Sequence, residues 1–200
     1  MTKIYRQLIT CEKELRSTLI TKTVISNFTS KTSQYRLRAY RLLSHAEIES
    51  YIENIILYKV SIEKVKLQQA KQISNCIACI MAYNKTEFPN ISSHLAEISN
   101  RNDIIFRTSA IIYTFESQVK RNNGIKEENI IPLLVPLGID YQSLSQTLLN
   151  TMSSFGQNRG STAHNSSKVQ HLINPNDEIS MVNQIIQDLQ LVDNLVVSIK

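Results

Sequence analysis

Apolar residues recur at helical period along nearly the whole chain. Ile4, Leu8, Cys11, Leu15 and Leu19 make the first stripe. At ~100° per residue they fall within roughly 80° of arc. Lys3, Arg6, Lys13 and Arg16 lie mostly on the opposite side of that wheel. The Ser- and Thr-rich stretch 27–33 reads as a connection. A second helix is predicted from about Gln34, with Leu37, Tyr40, Ile48, Tyr51, Ile52, Ile55 and Tyr58 on one side. A third is predicted over Ile62 to Tyr83, and 92–99, after Pro89, is left between short helix and loop. Asn102 or Asp103 is placed as the cap of a fourth, carrying Ile104, Ile105, Ile111, Ile112, Phe115 and Val119 and ending at Asn122-Asn123-Gly124. A short helix after Glu127 and Glu128 stops at Gly138, and Asp140 is expected to cap the next, with Leu144, Leu148 and Met152 spaced by four. Residues 153–171 read as a polar break. Asn174 as cap and Pro175 at the first position open a last helix with Met181, Ile185, Leu189, Val192, Val196 and Ile199 along its seam. No stretch reads as a strand, so the pattern predicts an all-α protein.

Composition agrees with one globular domain. The chain has 200 residues, 42% hydrophobic and 20% charged. A chain this long can bury about 70% of its unfolded surface. Only four Gly and four Pro argue against an all-β fold. No apolar run approaches the ~20 residues of a membrane span, and MTKIYRQLIT lacks the apolar core of a signal peptide. Three cysteines make no disulfide framework. The expectation is a cytoplasmic protein without membrane contact: residues 1–200 form a single domain, 1–33 a basic N-terminal helix and 34–200 a bundle. Charge adds a partner. Nine of the Lys and Arg and only two Glu lie in 1–41, a local +7 against a net +5 for the chain. A basic arm on a near-neutral body suits an anionic partner or a solvated helix face.

Cys76 and Cys79 form a lone CxxC inside an apolar helical run, with no second pair and no nearby His, and read as packed thiols. His45 and His94 have no ligand spacing and read as ordinary histidines. Neither a metal set nor a phosphate loop is found, and no cofactor is expected. The informative stretch is Asn158-Arg159-Gly160-Ser161-Thr162-Ala163-His164. Histidine exchanges a proton near neutral pH, and arginine presents a permanently charged planar fork to phosphate oxygens. Together they suit phosphodiester chemistry without a metal. On a straight helix the two would stand ~140° apart, so Gly160 is expected to break the helix and let Arg159 swing toward His164. Glu47, at the edge of the apolar side of the second helix, is a third candidate for orienting either residue. Glu49 and Glu53 are expected to be solvated.

The R-x4-H pair, the preceding Ala163, the upstream Asn129-Ile-Ile-Pro-Leu-Leu-Val-Pro-Leu-Gly-Ile-Asp140 and the helix carrying Phe155 resemble the RiboL-PSP branch of the HEPN superfamily. The segment 33–55 resembles the acidic second helix of that branch. The likeness spans roughly 33–60 and 125–200, with the rest matching by helical character. It implies an all-α HEPN-like helical bundle with additional helices, and a metal-independent endoribonuclease. In such nucleases two subunits bring two R-x4–6-H motifs to one cleft, so a homodimer with a composite site is implied. His164 would exchange the proton of the ribose 2′-OH, and Arg159 would hold the scissile phosphate. Asn158 and Ser161 beside the pair, with Lys3, Arg6, Lys13 and Arg16, are the expected RNA contacts. The family often has a polar residue after the arginine, where this chain has Gly160. In the toxin branch silenced by a nucleotidyltransferase a tyrosine stands two positions after the histidine, where this chain has Ser166, so AMP transfer is not implied. The implied setting is a toxin or anti-phage abortive-infection effector, with a cognate antitoxin or inhibitor as a possible partner. The alternatives are a catalytically silent module that binds RNA or a protein, and an antitoxin-type scaffold subunit.

Overall fold

The computed structural model describes residues 1–83, 101–164 and 171–199, without the side chains of 101–103, 106 and 164. The described residues form α-helices and short 3-10 turns and no strand. The α-helices are α1 (Lys3–Leu19), α2 (Lys22–Ser26), α3 (Lys31–Ala70), α4 (Asn75–Tyr83), α5 (Arg101–Lys120), α6 (Glu127–Leu134), α7 (Gln146–His164) and α8 (Pro175–Ser198). None of them is long and apolar enough to cross a membrane. The stretch 92–99, expected as a short helix or a loop, His94 and Ser166 lie outside the described residues.

The spine is α3. Its 40 residues span ~60 Å at 1.5 Å per residue. Its buried positions step by three and four, through Leu37, Tyr40, Ser44, Ile48, Ile52, Ile56, Val60, Glu63 and Leu67. Against this stripe pack α1, α5, α7 and α8. Phe115 of α5, Phe155 of α7 and Ile185 of α8 are fully buried there. Tyrosine hydroxyls tie the layers together. Tyr5 donates to the Ile186 carbonyl at 2.7 Å, and Tyr40 donates to the buried Glu12 carboxylate at 2.9 Å. Thr2 caps α1 and also donates through its hydroxyl to Asp193 of α8 at 2.5 Å.

Several sequence expectations change. The second and third helices are one, because nothing at 58–62 breaks the chain and Lys59 bonds Glu63 one turn on, at 2.7 Å. The break falls instead at 71–74, where Lys71 takes a left-handed φ of 55° as the C-cap. Tyr58, assigned to the apolar side, is 48% exposed. Asn102 and Asp103 lie inside α5 rather than before it. Asp140 caps only the 3-10 turn Tyr141–Ser143, through the Gln142 N–H. The polar break expected from 153 is a helix as far as His164. Phe155 and Gly156 are buried there, and their packing outweighs the polar composition around them. Gly138 with φ 95° ends the turn after α6 as expected, and Asn174 caps α8 through the Asn176 N–H at 2.9 Å.

Candidate functional site

At ~100° per residue, Gln34, Arg38, Arg41, His45 and Glu49 fall within ~80° of the α3 wheel. This polar sector interrupts the apolar side of the spine and meets the end of α7 and the start of α8. Gln34 donates to the Ile173 carbonyl at 3.0 Å and accepts from its N–H at 2.9 Å, closing both backbone groups before α8. Arg41 grips Glu178 with two nitrogens, Nε to Oε1 at 2.8 Å and Nη2 to Oε2 at 2.5 Å. Its Nη1 donates to the Thr162 hydroxyl at 3.1 Å. His45 is buried against Phe155, with ring centroids 6.1 Å apart. Burial and then the nearby Arg159 charge push the His45 imidazole down to about 4. It is therefore neutral at physiological pH, and its contact with Glu49 at 3.6 Å is dipolar rather than an ion pair. Arg38 Nε and His45 Nδ1 are buried without a hydrogen-bond partner. Such groups are costly in a packed interior.

Arg159 is half-buried on α7 beside His45. The helix does not break at Gly160. It stays helical because a glycine in mid-helix costs only about 1 kcal/mol, which flanking turns absorb. His164 is the last residue of α7, ~140° around the wheel from Arg159. On an unbroken α7 the two positions therefore stand on different faces. Asn158 is half-buried and accepts from Thr162 through its carbonyl at 2.8 Å, while Ser161 is exposed.

Glu47 lies on the other side of α3, ~200° from His45. It is half-buried, and burial and then the Glu47 carboxylate push the Cys11 thiol of α1 up. The residue of α3 next to Arg159 is thus His45, which sequence reasoning treated as ordinary. Glu49 and Glu53 are not simply solvated. Glu49 accepts from the Gly124 N–H, and Glu53 accepts from the Asn122 amide at 3.2 Å, so both hold the turn after α5. Burial raises the Glu53 carboxyl above its ordinary value. On α1, Lys3, Arg6 and Lys13 are exposed. Arg16 is half-buried instead, 3.4 Å from Glu12 and 3.4 Å from the Asn183 amide oxygen.

The model of the RiboL-PSP-HEPN family matches residues 6–199. The chain belongs to the RiboL-PSP-HEPN family. No curated protein and no solved structure matches it. The match is wider than the two segments that carried the sequence resemblance. It takes in nearly all of α1 and the whole middle of the chain, so the basic arm is part of the RiboL-PSP-HEPN unit rather than an addition to it. It includes Arg159 and His164 and also Arg41, His45 and Glu178, the residues around Arg159 and Thr162 that sequence reading passed over. A signal for them existed: polar residues at 34, 38, 41, 45 and 49 repeat at helical period inside an otherwise apolar face.

Proposed function

We propose that this RiboL-PSP-HEPN protein is a metal-independent endoribonuclease of the cytoplasm that cleaves RNA by attack of the ribose 2′-OH. Membership of the family carries the reading, joined to the Arg159 charge of α7 acting on the buried, neutral His45 of α3. His164 takes the 2′-OH proton as general base or returns one to the leaving oxygen as acid. Arg159 holds the scissile phosphate and offsets the charge that builds on it. Because the nucleophile is the neighbouring hydroxyl, RNA is cut and DNA is not. One chain supplies one Arg and one His ~140° apart, so a second copy completes the site in a homodimer. Lys3, Arg6 and Lys13 serve RNA affinity, and replacing them with Gln flattens the salt dependence of binding by roughly 0.7 per lost phosphate contact. The biological role is that of a toxin or abortive-infection effector, held in check by an inhibitor.

The rival reading is a silent module that binds RNA or a protein. It is favoured by Gly160, which supplies no side chain where the family often has a polar one. The test is cleavage of total RNA in EDTA. Wild type should yield 2′,3′-cyclic phosphate ends. Arg159→Ala and His164→Ala should each lose about 100-fold or more, the usual scale for a proton-transfer group. Cleavage that requires added Mg²⁺, or 5′-phosphate ends, would overturn the mechanism. RNA binding with no cleavage would leave the silent module.

A further inference from the structure

We infer that Arg41 is a positioning residue for the Arg159–His164 segment, acting through the Thr162 hydroxyl while Glu178 fixes its guanidinium. The catalytic consequence rests on the nuclease reading; the anchoring of the segment does not.

The two parallel bonds from Arg41 to Glu178, at 2.8 and 2.5 Å, fix the plane of the guanidinium. The remaining terminal nitrogen then points at Thr162, 3.1 Å from its hydroxyl oxygen. That hydroxyl gives its own proton to the Asn158 carbonyl at 2.8 Å, one turn back. It therefore accepts from α3 and donates along α7 at once. Thr162 stands three residues after Arg159 and two before His164, so the contact holds the backbone between them. Without it this segment loses its tie to α3, and segments with few tertiary bonds open locally most readily. Glu178 lies in the first turn of α8, so one side chain joins three helices where the motif sits. Lysine could keep the charge near Glu178, but its point charge cannot hold the carboxylate bidentately and the hydroxyl together. Geometry at a reacting phosphate tolerates little slack, and a displacement of about 1 Å can cost about 100-fold.

The test compares wild type with Arg41→Lys, Thr162→Val and Thr162→Ser. It reads amide hydrogen exchange over 159–164, kcat and KM on RNA in EDTA, and Tm. Thr162→Val leaves the Arg41–Glu178 pair in place and keeps the side-chain shape, so it preserves the fold even if Arg41→Lys does not. Thr162→Val should speed exchange over 159–164 by about 10-fold, with the rest of the chain unchanged. It should lower kcat by about 10-fold or more with KM within about two-fold, since a misplaced group weakens the transition state rather than uniform binding. Thr162→Ser should restore both. Unchanged exchange in Thr162→Val, or a serine variant as impaired as the valine one, overturns the inference. A wild type that cleaves no RNA sinks the nuclease reading, and the exchange result then still decides the anchor.

Discussion

The two halves of α3 both bury charged groups, but between different partners. In the C-terminal half Lys59 donates to Glu63 at 2.7 Å and to the Ile199 carbonyl at 2.5 Å, and Lys66 adds a bond to Glu63 at 3.0 Å. Burial pushes the Glu63 carboxyl up, yet hydrogen bonds from Lys59 and Lys66 hold it below the usual carboxylate value. In the N-terminal half Arg41 reaches two other helices, and Gln34 closes the segment before α8. The first arrangement mostly staples a helix to itself and keeps α3 continuous past the point where its pattern suggested an end. The second ties sequence-distant parts of the chain around the R-x4-H motif. Buried charge alone does not distinguish the two halves; what distinguishes them is that the Arg41 cluster joins three helices at the R-x4-H segment, whereas the Glu63 cluster is held mainly within α3.

Removing one carboxylate from each half puts this difference to the test. Glu63→Gln and Glu178→Gln should each cost about 3 kcal/mol in urea unfolding, because either change strands a buried cation. Only Glu178→Gln should also lower kcat for RNA, measured below the temperature where either variant begins to unfold. Equal losses of kcat in the two folded variants would erase the distinction between the halves.

A pH titration sharpens it further. His45 in the N-terminal half is held down to about 4, first by burial and then by Arg159, while an unfolded histidine titrates near 6.5. The unfolded chain therefore binds the extra proton first. The stabilising difference is complete above about pH 6.5 and is lost as pH falls through that value toward 4. Between pH 7 and 5 this single group should remove roughly 2 kcal/mol, at 1.36 kcal/mol per unit. The loss should vanish in His45→Gln. Glu63 in the other half contributes nothing in that window, since it is already ionised there. A wild type and a His45→Gln variant with the same slope would mean that the imidazole is not buried as described.

The helices and most of the core were legible because periodicity reports them directly. The stripe of α8 and the caps Asn174 and Gly138 are where the sequence places them. Boundaries were less legible. The staple between Lys59 and Glu63 joins two predicted helices, and the buried Phe155 carries α7 through a polar stretch. Arg159 and His164 were legible as a motif, but their surroundings were not. Arg41 and Glu178 are 137 positions apart, and Gln34 and Ile173 are 139 apart. No local spacing joins such residues. Glu47 stands near the apolar edge of the α3 wheel, yet that edge faces α1 and Cys11 rather than Arg159. Period tells which residues share a face, not which neighbour the face will meet.

The smallest effect separates the two glycines of α7, one facing the packed interior and one at the motif. A Cβ built on Gly160 meets nothing within 4 Å. The residue is helical, so alanine there should stabilise by about 1 kcal/mol, the ordinary helix-interior difference. A Cβ on Gly156 would lie 3.0 Å from Lys126 Cγ and 3.7 Å from Ile125 Cγ1. Lys126 must then shift, and the strain offsets the same propensity gain. Gly160→Ala should therefore raise Tm while Gly156→Ala leaves it level or lowers it. Gly160→Ala also separates two reasons for a glycine beside Arg159. If cleavage persists at the wild-type rate, this glycine is only a weak point in the helix. If Tm rises while kcat/KM falls, the open space at Gly160 is where RNA approaches the helix backbone, and the motif end of α7 has given up stability for access.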